Sequence, residues 1–306
     1  YKIEIKENNI DVVQYEFPTS EYKSNSFANY IFLPIILRLK GIKCVYTLHE
    51  FSDNSFLSKI VRIPALLFSN KIIIVDERYR KDIRKICFLV KKSKISLIPI
   101  ASNIPQSTAS DDKIIEIRSK ILNDSNKTTI ISYFGFINPA KRLDLLFEAM
   151  GILKDEQQLK SKLLIIGDFN SSKCTIEYFN QLRTCIKKYN LDENIYITGF
   201  LDTKEVGDYI RASDAAILLF ENGVSIRNGS MLAVMQEGVQ IFTTKSKFCY
   251  PLFESNQFIL IDNELEQVKK AILEAQTEKP HKYNENYYSW SDISKKHEKI
   301  YKALIN

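Results

Sequence analysis

Glycine, cysteine and histidine are scarce in this chain of 306 residues. Only nine glycines are present, and Gly41 is the only one before residue 135. The five cysteines show no C-x-x-C spacing, and the three histidines are scattered. An odd number of cysteines without paired spacing favours the reduced thiols of a cytoplasmic protein over a disulfide framework. Without metal-ligand spacing, we expect no bound metal.

Long apolar stretches are also lacking. The most apolar segment, residues 29–38, is about ten residues long and contains Pro34, whereas a membrane-spanning helix needs about 20 apolar residues. We therefore expect a helix that faces the protein core, with a helix lying in a membrane interface as the alternative.

The charge balance is mildly positive. Forty-three Lys and Arg against 37 acidic residues give a net charge of +6, spread along the chain. This balance favours anionic partners such as sugar nucleotides or an acidic lipid surface, and it does not indicate nucleic acid. Peripheral membrane contact and oligomerisation both remain open. A hydrophobic content of 45% with 26% charged residues is typical of globular proteins, and the length suffices for two domains.

Strand-like and helix-like patterns alternate in two series. The first series has strand patterns at residues 11–15, 44–47, 71–75 and 95–98, and helix patterns at 26–40, 56–68 and 78–88. The second has strand patterns at 129–134, 162–166, 194–198, 215–219, 240–243 and 258–261, and helix patterns at 143–154, 175–189, 203–212, 230–237 and 264–276. Such alternation predicts an α/β fold with two doubly wound parallel sheets.

A polar segment at residues 100–112 separates the two series and is predicted to be a linker. We predict domains at residues 1–104 and 105–285, followed by an amphipathic C-terminal segment at 286–306. The first series lacks the glycine-bearing turn with which such a half usually opens. We therefore expect the first domain to be truncated, with further strands preceding Tyr1.

Residues 215–244 carry the most informative pattern, which reads strand, glycine-containing loop, short helix and strand. Ser230 is predicted to cap the helix and Gly238 to end it. In a parallel sheet this loop lies at the carboxyl edge, where such sheets bind ligands. The first helical N–H groups, at Gly229, Ser230 and Met231, suit an anion, and Arg227 adds a forked donor. The pattern favours a bound diphosphate. The alternative is that the glycines only form turns and Arg227 is a solvated charge.

This loop resembles the donor-nucleotide loop of the retaining, GT-B-fold glycosyltransferases of the family 4 type. It is closest to a subgroup whose loop reads roughly G-V-S-x-R-x-G-S. The resemblance implies two Rossmann-like domains facing a cleft, the first on the acceptor side, the second binding the donor, and a C-terminal helix crossing back to the first. It implies transfer of a sugar from a nucleoside diphosphate sugar to a hydroxyl of a glycan or lipid-linked acceptor. The anomeric configuration would be retained, with no metal or cofactor, in the synthesis of surface polysaccharides or glycoconjugates.

Two further motifs extend the resemblance. Residues 134–142 resemble the G-[RF]-x-x-P-x-K-G turn, whose lysine, here Lys141, reaches the donor diphosphate. Residues 47–50 resemble a T-[FL]-H segment whose histidine, here His49, points into the cleft near the donor sugar. Without the resemblance, a lone histidine at a strand end is more often structural. The resemblance makes His49, Lys141 and Arg227 the catalytic candidates.

The resemblance also implies a set of donor-binding residues. Residues 198–201 correspond to the loop that cradles the nucleobase, usually through backbone contacts. Glu221 is the nearest carboxylate to the glycine loop and is expected either to contact sugar hydroxyls or to be solvated. The full predicted set is Gly135, Lys141, Gly199, Phe200, Leu201, Glu221, Gly223, Val224, Ser225, Arg227, Gly229 and Ser230.

The sequence departs from the family pattern at three positions. Counting back from Gly238, the family's E-x7-E pair falls on Ser225 and Ala233, so both carboxylates that hold the donor sugar and ribose are absent. Phe136 stands where many members carry a second phosphate-binding arginine, so Arg227 is expected to supply that charge. The subgroup also lacks the two carboxylates. A second hypothesis is an inactive subunit that supports a partner glycosyltransferase, and a third is a sugar-nucleotide epimerase of the same fold.

Overall fold

The computed structural model describes residues 10–16, 27–123, 128–168, 175–248, 250–277, 283 and 289–306. The chain divides into two compact units. Tyr1–Ala101 and Tyr288–Asn306 form the first unit, and Ser102–Tyr287 forms the second. The sequence placed these divisions at 104/105 and 285/286, and the latter pair lies outside the described residues. Each unit contains one parallel sheet.

The first unit has a four-stranded sheet in the order β1-β2-β3-β4, with every pair parallel. Its strands are β1 (Val12–Glu16), β2 (Lys43–Leu48), β3 (Lys71–Ile74) and β4 (Ile95–Leu97). Its helices between strands are α1 (Phe27–Leu39), α2 (Phe56–Val61), α3 (Ile63–Phe68) and α4 (Arg78–Ile86). These confirm the predicted alternation within one or two residues, with one exception.

The exception is the helix predicted over residues 56–68, which is two helices. Helix α2 ends at Val61, Arg62 is the residue between them, and α3 begins at Ile63. Pro64 lies in the first turn of α3. Because proline has no N–H and its ring clashes with the carbonyl four residues earlier, Pro64 favours the start of a new helix over continuation of α2. Arg62 is buried between the two helices, and its Nη1 donates to the Glu50 carbonyl at 3.4 Å.

Both faces of the first sheet are covered, because consecutive side chains of a strand point to opposite faces. Tyr46 and Ile72 lie in one buried cluster, toward the helices that connect the strands. Val45 and Ile73 lie in another, where they pack with Ile293 of the C-terminal helix. Burial on both faces explains why these strands read as uninterrupted apolar runs.

The second unit has a six-stranded parallel sheet. Its strands are β5 (Thr129–Phe134), β6 (Ser161–Ile166), β7 (Ile195–Ile197), β8 (Ala215–Leu218), β9 (Gln240–Thr244) and β10 (Phe258–Ile261). Its helices are α5 (Asp111–Leu122), α6 (Leu143–Asp155), α7 (Ile176–Lys188), α8 (Thr203–Arg211), α9 (Gly229–Gln236) and α10 (Leu265–Thr277). The strand order is β10-β9-β8-β5-β6-β7. The strand reading is confirmed throughout. The C-terminal helix, α11 (Trp290–Ile305), belongs to the first unit.

The linker prediction for residues 100–112 is partly wrong, since Asp111 and Asp112 open helix α5. Ser110 caps this helix by accepting from the Lys113 N–H at 3.3 Å. Residues 102–110, which precede this helix, already belong to the second unit and form hydrogen bonds within it. Ser107 N–H, for example, donates to Glu237 Oε1 at 2.8 Å. No helix within the described ranges is long and apolar enough to cross a bilayer.

Candidate functional site

The strand order of the second unit creates a natural ligand position. Strand β5 pairs with β6 on one side and with β8 on the other. The chain continues from β5 toward β6 on one side and from β8 toward β9 on the other, so the loops after β5 and β8 diverge from each other. In open α/β sheets this point, at the carboxyl edge, is where ligands bind. Lys141 follows β5, and Arg227 and Ser230 follow β8.

The loop after β5 approaches the start of α9 closely. Gly135 has a φ of +136°, which favours glycine, and a Cβ placed there would lie 3.3 Å from Cβ of Ser230. A side chain at position 135 would therefore fill the space in front of α9. Glu221 N–H donates to the Ala140 carbonyl at 2.9 Å, so the loops after β5 and β8 are also bonded to each other.

Lys141 lies where these two loops meet. It ends a short 3₁₀ turn, Pro139–Lys141, and its Nζ is 3.4 Å from Ser230 Oγ. The same ammonium lies 3.9 Å from the centre of the Phe220 ring, in a cation–π contact. Burial lowers the pKa of Lys141 to about 8. A partly desolvated cation held beside a helix N-terminus is well placed to pair with an anion.

Helix α9 begins one residue earlier than the sequence indicated, and the prediction that Ser230 caps it is wrong. Asn228 occupies the cap position, but its side chain does not cap the helix, because Oδ1 accepts from Ser225 N–H at 2.6 Å. Ser230 instead lies in the first turn. The N–H groups of this turn have no partner within the helix, and the space beside Gly229 is open. Gly238, with a φ of +71°, ends the helix as predicted.

The loop after β8 is held by its backbone. A Cβ on Gly223 would lie 2.2 Å from the Lys245 carbonyl oxygen, and its φ is +79°, so only glycine fits. Val224 N–H donates to the Thr244 carbonyl at 2.9 Å, and the Val224 side chain is fully buried. The side chain of Val224, one of the predicted donor-binding residues, is therefore turned into the core.

A tight turn carries Arg227 toward α9. Asn228 N–H donates to the Ser225 carbonyl at 2.9 Å, and Arg227 N–H donates to Ser225 Oγ at 3.3 Å. Ser225 is thus engaged in forming the turn, and Arg227 at its corner is half-buried. Glu221 is exposed, and Ala233 is fully buried within α9. No carboxylate stands at the two positions of the E-x7-E pair.

The loop after β7 lies on the other side of β5. Gly199 has a φ of +71° and forms an isolated bridge with Gly167, which follows β6. A Cβ on Gly167 would lie 3.5 Å from the Gly135 carbonyl oxygen, so the three glycine turns are neighbours along the edge. Phe200 is 89% exposed, and Leu201 is half-buried. An exposed aromatic ring at this edge offers a flat apolar surface to a ligand.

In the first unit, His49 follows β2 at the carboxyl edge of the sheet. Its Nε2 is 3.1 Å from Glu16 Oε2 at the end of the neighbouring strand β1. A carboxylate can only accept, so Nε2 carries the proton. The histidine lowers the pKa of the Glu16 carboxyl. Tyr79 Oη donates to the His49 carbonyl at 2.9 Å and fixes the backbone. Glu16 was not among the predicted residues, although it directly follows the strand predicted at residues 11–15.

Comparisons with known proteins agree with this architecture. The family model described as "Glycosyl transferases group 1" matches residues 114–290. No curated protein sequence matches the chain. Anabaena HepE, solved in complex with UDP and glucose, superposes with a TM-score of 0.72 at 14% identity, over 99% of this chain and 80% of that chain.

Two further solved structures show the same likeness. Sucrose-phosphate synthase from Thermosynechococcus elongatus has a TM-score of 0.66 at 14% identity, covering 99% of this chain and 76% of that chain. A glycosyltransferase from Rickettsia africae has a TM-score of 0.66 at 14% identity, covering 100% and 88%. These superpositions establish the fold, which is GT-B with two Rossmann-like domains. At identities this low, the likeness shows the fold alone.

Proposed function

Because the chain belongs to the glycosyl transferases group 1 family, we propose that it transfers a sugar from a nucleoside diphosphate sugar to a hydroxyl group, with retention of the anomeric configuration. Glycosyl transfer is the activity of the family. The donor class, the stereochemistry and the residue roles are our proposal. The observation that carries the donor class and the residue roles is the meeting of Lys141, Gly135 and the α9 N-terminus at the switch point of the second sheet. Retention rests only on the resemblance of the loop after β8 to that of retaining glycosyltransferases.

The donor diphosphate binds in front of α9 in this proposal. The bond between the anomeric carbon and the diphosphate oxygen breaks, and the acceptor oxygen forms the new bond and gives up its proton to the departing diphosphate. Negative charge grows on the departing diphosphate. Lys141, Arg227 and the first N–H groups of α9 stabilise that charge electrostatically, without a metal ion. Lys141 exchanges its contact with Ser230 Oγ for a phosphate oxygen.

The nucleoside end of the donor lies toward the loop after β7. Gly199, Phe200 and Leu201 offer backbone groups and an exposed ring to the base, and Glu221 offers a carboxylate to hydroxyl groups. HepE was solved with UDP and glucose, so UDP-glucose is the first donor to test.

The first unit contributes the acceptor side. We assign His49 to the reacting groups, with Glu16 accepting from its Nε2 and holding the ring. The acceptor is a glycan or lipid-linked glycan in surface polysaccharide or glycoconjugate synthesis. The protein works in the cytoplasm in peripheral contact with a membrane.

The second candidate function is a catalytically inactive subunit that binds and supports a partner glycosyltransferase. Ser225 and Ala233 favour it, because no carboxylate stands at the E-x7-E positions. The test is incubation of the purified protein with nucleoside diphosphate sugars and a panel of glycan acceptors. Release of nucleoside diphosphate that requires the acceptor supports transfer, and the NMR coupling of the new anomeric proton reports its stereochemistry. Donor binding without turnover under all conditions favours the subunit.

A further inference from the structure

A turn with two large apolar residues at its tip joins α4 to β4. Val90 N–H donates to the Cys87 carbonyl at 3.2 Å, which closes the turn. Cys87 and Val90 are buried in the core of the first unit, whereas Phe88 is 81% exposed and Leu89 is 62% exposed. Corner positions of turns usually hold Gly, Pro, Asn, Asp or Ser. Because the core anchors both ends, Phe88 and Leu89 are held out in solvent and cannot fold inward.

Cations surround this apolar tip. Residues 84–94 contain five Lys or Arg and no acidic residue. Arg84 and Lys85 precede the tip, and Lys91 and Lys92 follow it, all four exposed. Lys94 Nζ donates to the Leu66 carbonyl at 2.8 Å, which fixes the segment against the end of α3.

The topology extends the basic surface beyond the turn. The ends of α1, α3 and α4 precede β2, β3 and β4, so they lie together at the amino edge of the parallel sheet. The end of α1 brings Arg38, the 84% exposed Leu39 and Lys40. Burial, and then the charge of Arg38, lower the pKa of Lys94 to about 8.

Among the described residues that flank the strands of this unit, Asp11 lies at the amino edge, directly before β1, and five acidic residues end or follow strands at the opposite edge, Glu16 among them. Glu50 and Asp53 follow β2, and Asp76 and Glu77 follow β3. The first sheet thus has a basic amino edge with exposed apolar residues and a carboxyl edge that carries acids and His49. A docked amino edge would leave the carboxyl edge free.

We propose that the amino edge of the first sheet docks on an anionic membrane surface, with Phe88 and Leu89 inserted between the lipid headgroups. Apolar tips gain free energy from entering the boundary between headgroups and acyl chains, and neighbouring lysines pair with lipid phosphates. A nucleic acid would stack a base on Phe88 and would leave the exposed aliphatic Leu89 without a role, whereas a membrane accounts for the cations and both apolar residues together. This inference deepens the peripheral membrane contact of the proposed function, rests on the surface of the first unit, and does not depend on the proposed sugar transfer.

The test is flotation of the full chain with vesicles of phosphatidylcholine containing phosphatidylglycerol, alongside vesicles of phosphatidylcholine alone. We expect binding to the anionic vesicles only. The double variant Phe88→Gln/Leu89→Gln should lower the partition constant roughly tenfold to a hundredfold. Lys91→Gln/Lys92→Gln should lower the partition constant about thirtyfold, because each lysine near an anionic surface contributes roughly fivefold to binding. Thermal unfolding without vesicles should not change in either variant.

The matched control is Ile115→Gln/Ile176→Gln, which removes two exposed apolar residues of the second unit and should bind as wild type does. A second measurement places Phe88→Trp in a Trp290→Phe background, so that the protein's only tryptophan reports on the turn. Its fluorescence should shift to the blue with anionic vesicles. Absence of wild-type binding would overturn the proposal. So would binding that depends on Lys91 and Lys92 and ignores Phe88 and Leu89, because a nucleic acid or acidic protein would then fit equally well.

Discussion

Protonation of Lys141 should control the affinity for a nucleoside diphosphate. Burial lowers the pKa of this lysine to about 8 in the free protein. A bound diphosphate favours the ammonium form, so the pKa of Lys141 rises in the complex. Below about pH 8 the lysine is already charged and affinity should be constant. Above it, binding must take up a proton, and affinity should fall by up to tenfold per pH unit.

The size of the effect follows from the contact that is lost. A hydrogen bond to a charged group contributes about 1.5–3 kcal/mol, which corresponds to roughly tenfold to a hundredfold in affinity. Lys141→Met should therefore bind that much more weakly at about pH 7 and show no such pH dependence. Lys141→Arg keeps its charge throughout this range and should bind with a flat pH profile.

Protein stability should change in the opposite direction. The ordinary pKa of lysine is about 10.4, so between about pH 8 and that value the unfolded chain binds more protons at this position than the folded chain. The free energy of unfolding should therefore rise with pH across this window, by more in wild type than in Lys141→Met. Deprotonation of Lys141 therefore stabilises the folded protein relative to the unfolded chain. A loss of UDP affinity above about pH 8 cannot be explained by destabilisation through this lysine.

The assay is calorimetric titration of UDP into wild type and both variants from about pH 7 to about pH 10. Repeating each titration in two buffers of different ionisation enthalpy gives the number of protons taken up. We expect uptake of up to one proton in wild type above about pH 8, and less in both variants. Equal affinity at all pH values in wild type, or the same pH dependence in Lys141→Met, would refute the reasoning.

Further substitutions test three parts of the site. Arg227→Ala should weaken UDP binding roughly tenfold to a hundredfold, and its combination with Lys141→Ala should fall short of additivity, since both contact one ligand; unchanged affinity by calorimetry would leave the loop a simple turn. Gly223→Ala should destabilise the protein by about 2–4 kcal/mol in urea unfolding, whereas Gly229→Ala should be near neutral; equal stabilities would contradict the close backbone approach. His49→Ala should lower the rate of sugar transfer and leave UDP affinity unchanged, so a wild-type rate would remove His49 from the reacting groups.

The second sheet could be predicted from the sequence because its strands are apolar runs bounded by turn residues. β5 and β10 have the bounds that the pattern indicated. Helix α5 was missed although its signals are present, namely the Ser110 cap and two acidic residues in the first turn. These polar residues follow a serine-rich segment, so together they resemble a linker.

The site was predictable in its topology and less so in its contacts. That Lys141 and Arg227 share one sheet edge follows from the alternation of strands and helices. The Lys141–Phe220 contact and the turning of the Asn228 side chain toward Ser225 depend on tertiary packing, which local sequence does not contain. The Glu16–His49 pair required knowing that β1 is the neighbour of β2.

The central claim is that a nucleoside diphosphate binds in front of α9. A crystal structure of the full chain with UDP tests it most directly. We predict that the diphosphate lies at the N-terminus of α9, with Lys141 Nζ and the Arg227 guanidinium within hydrogen-bond distance of its oxygens and the base toward Phe200. A diphosphate bound elsewhere, with Lys141 still on Ser230 and Phe220, would contradict the account.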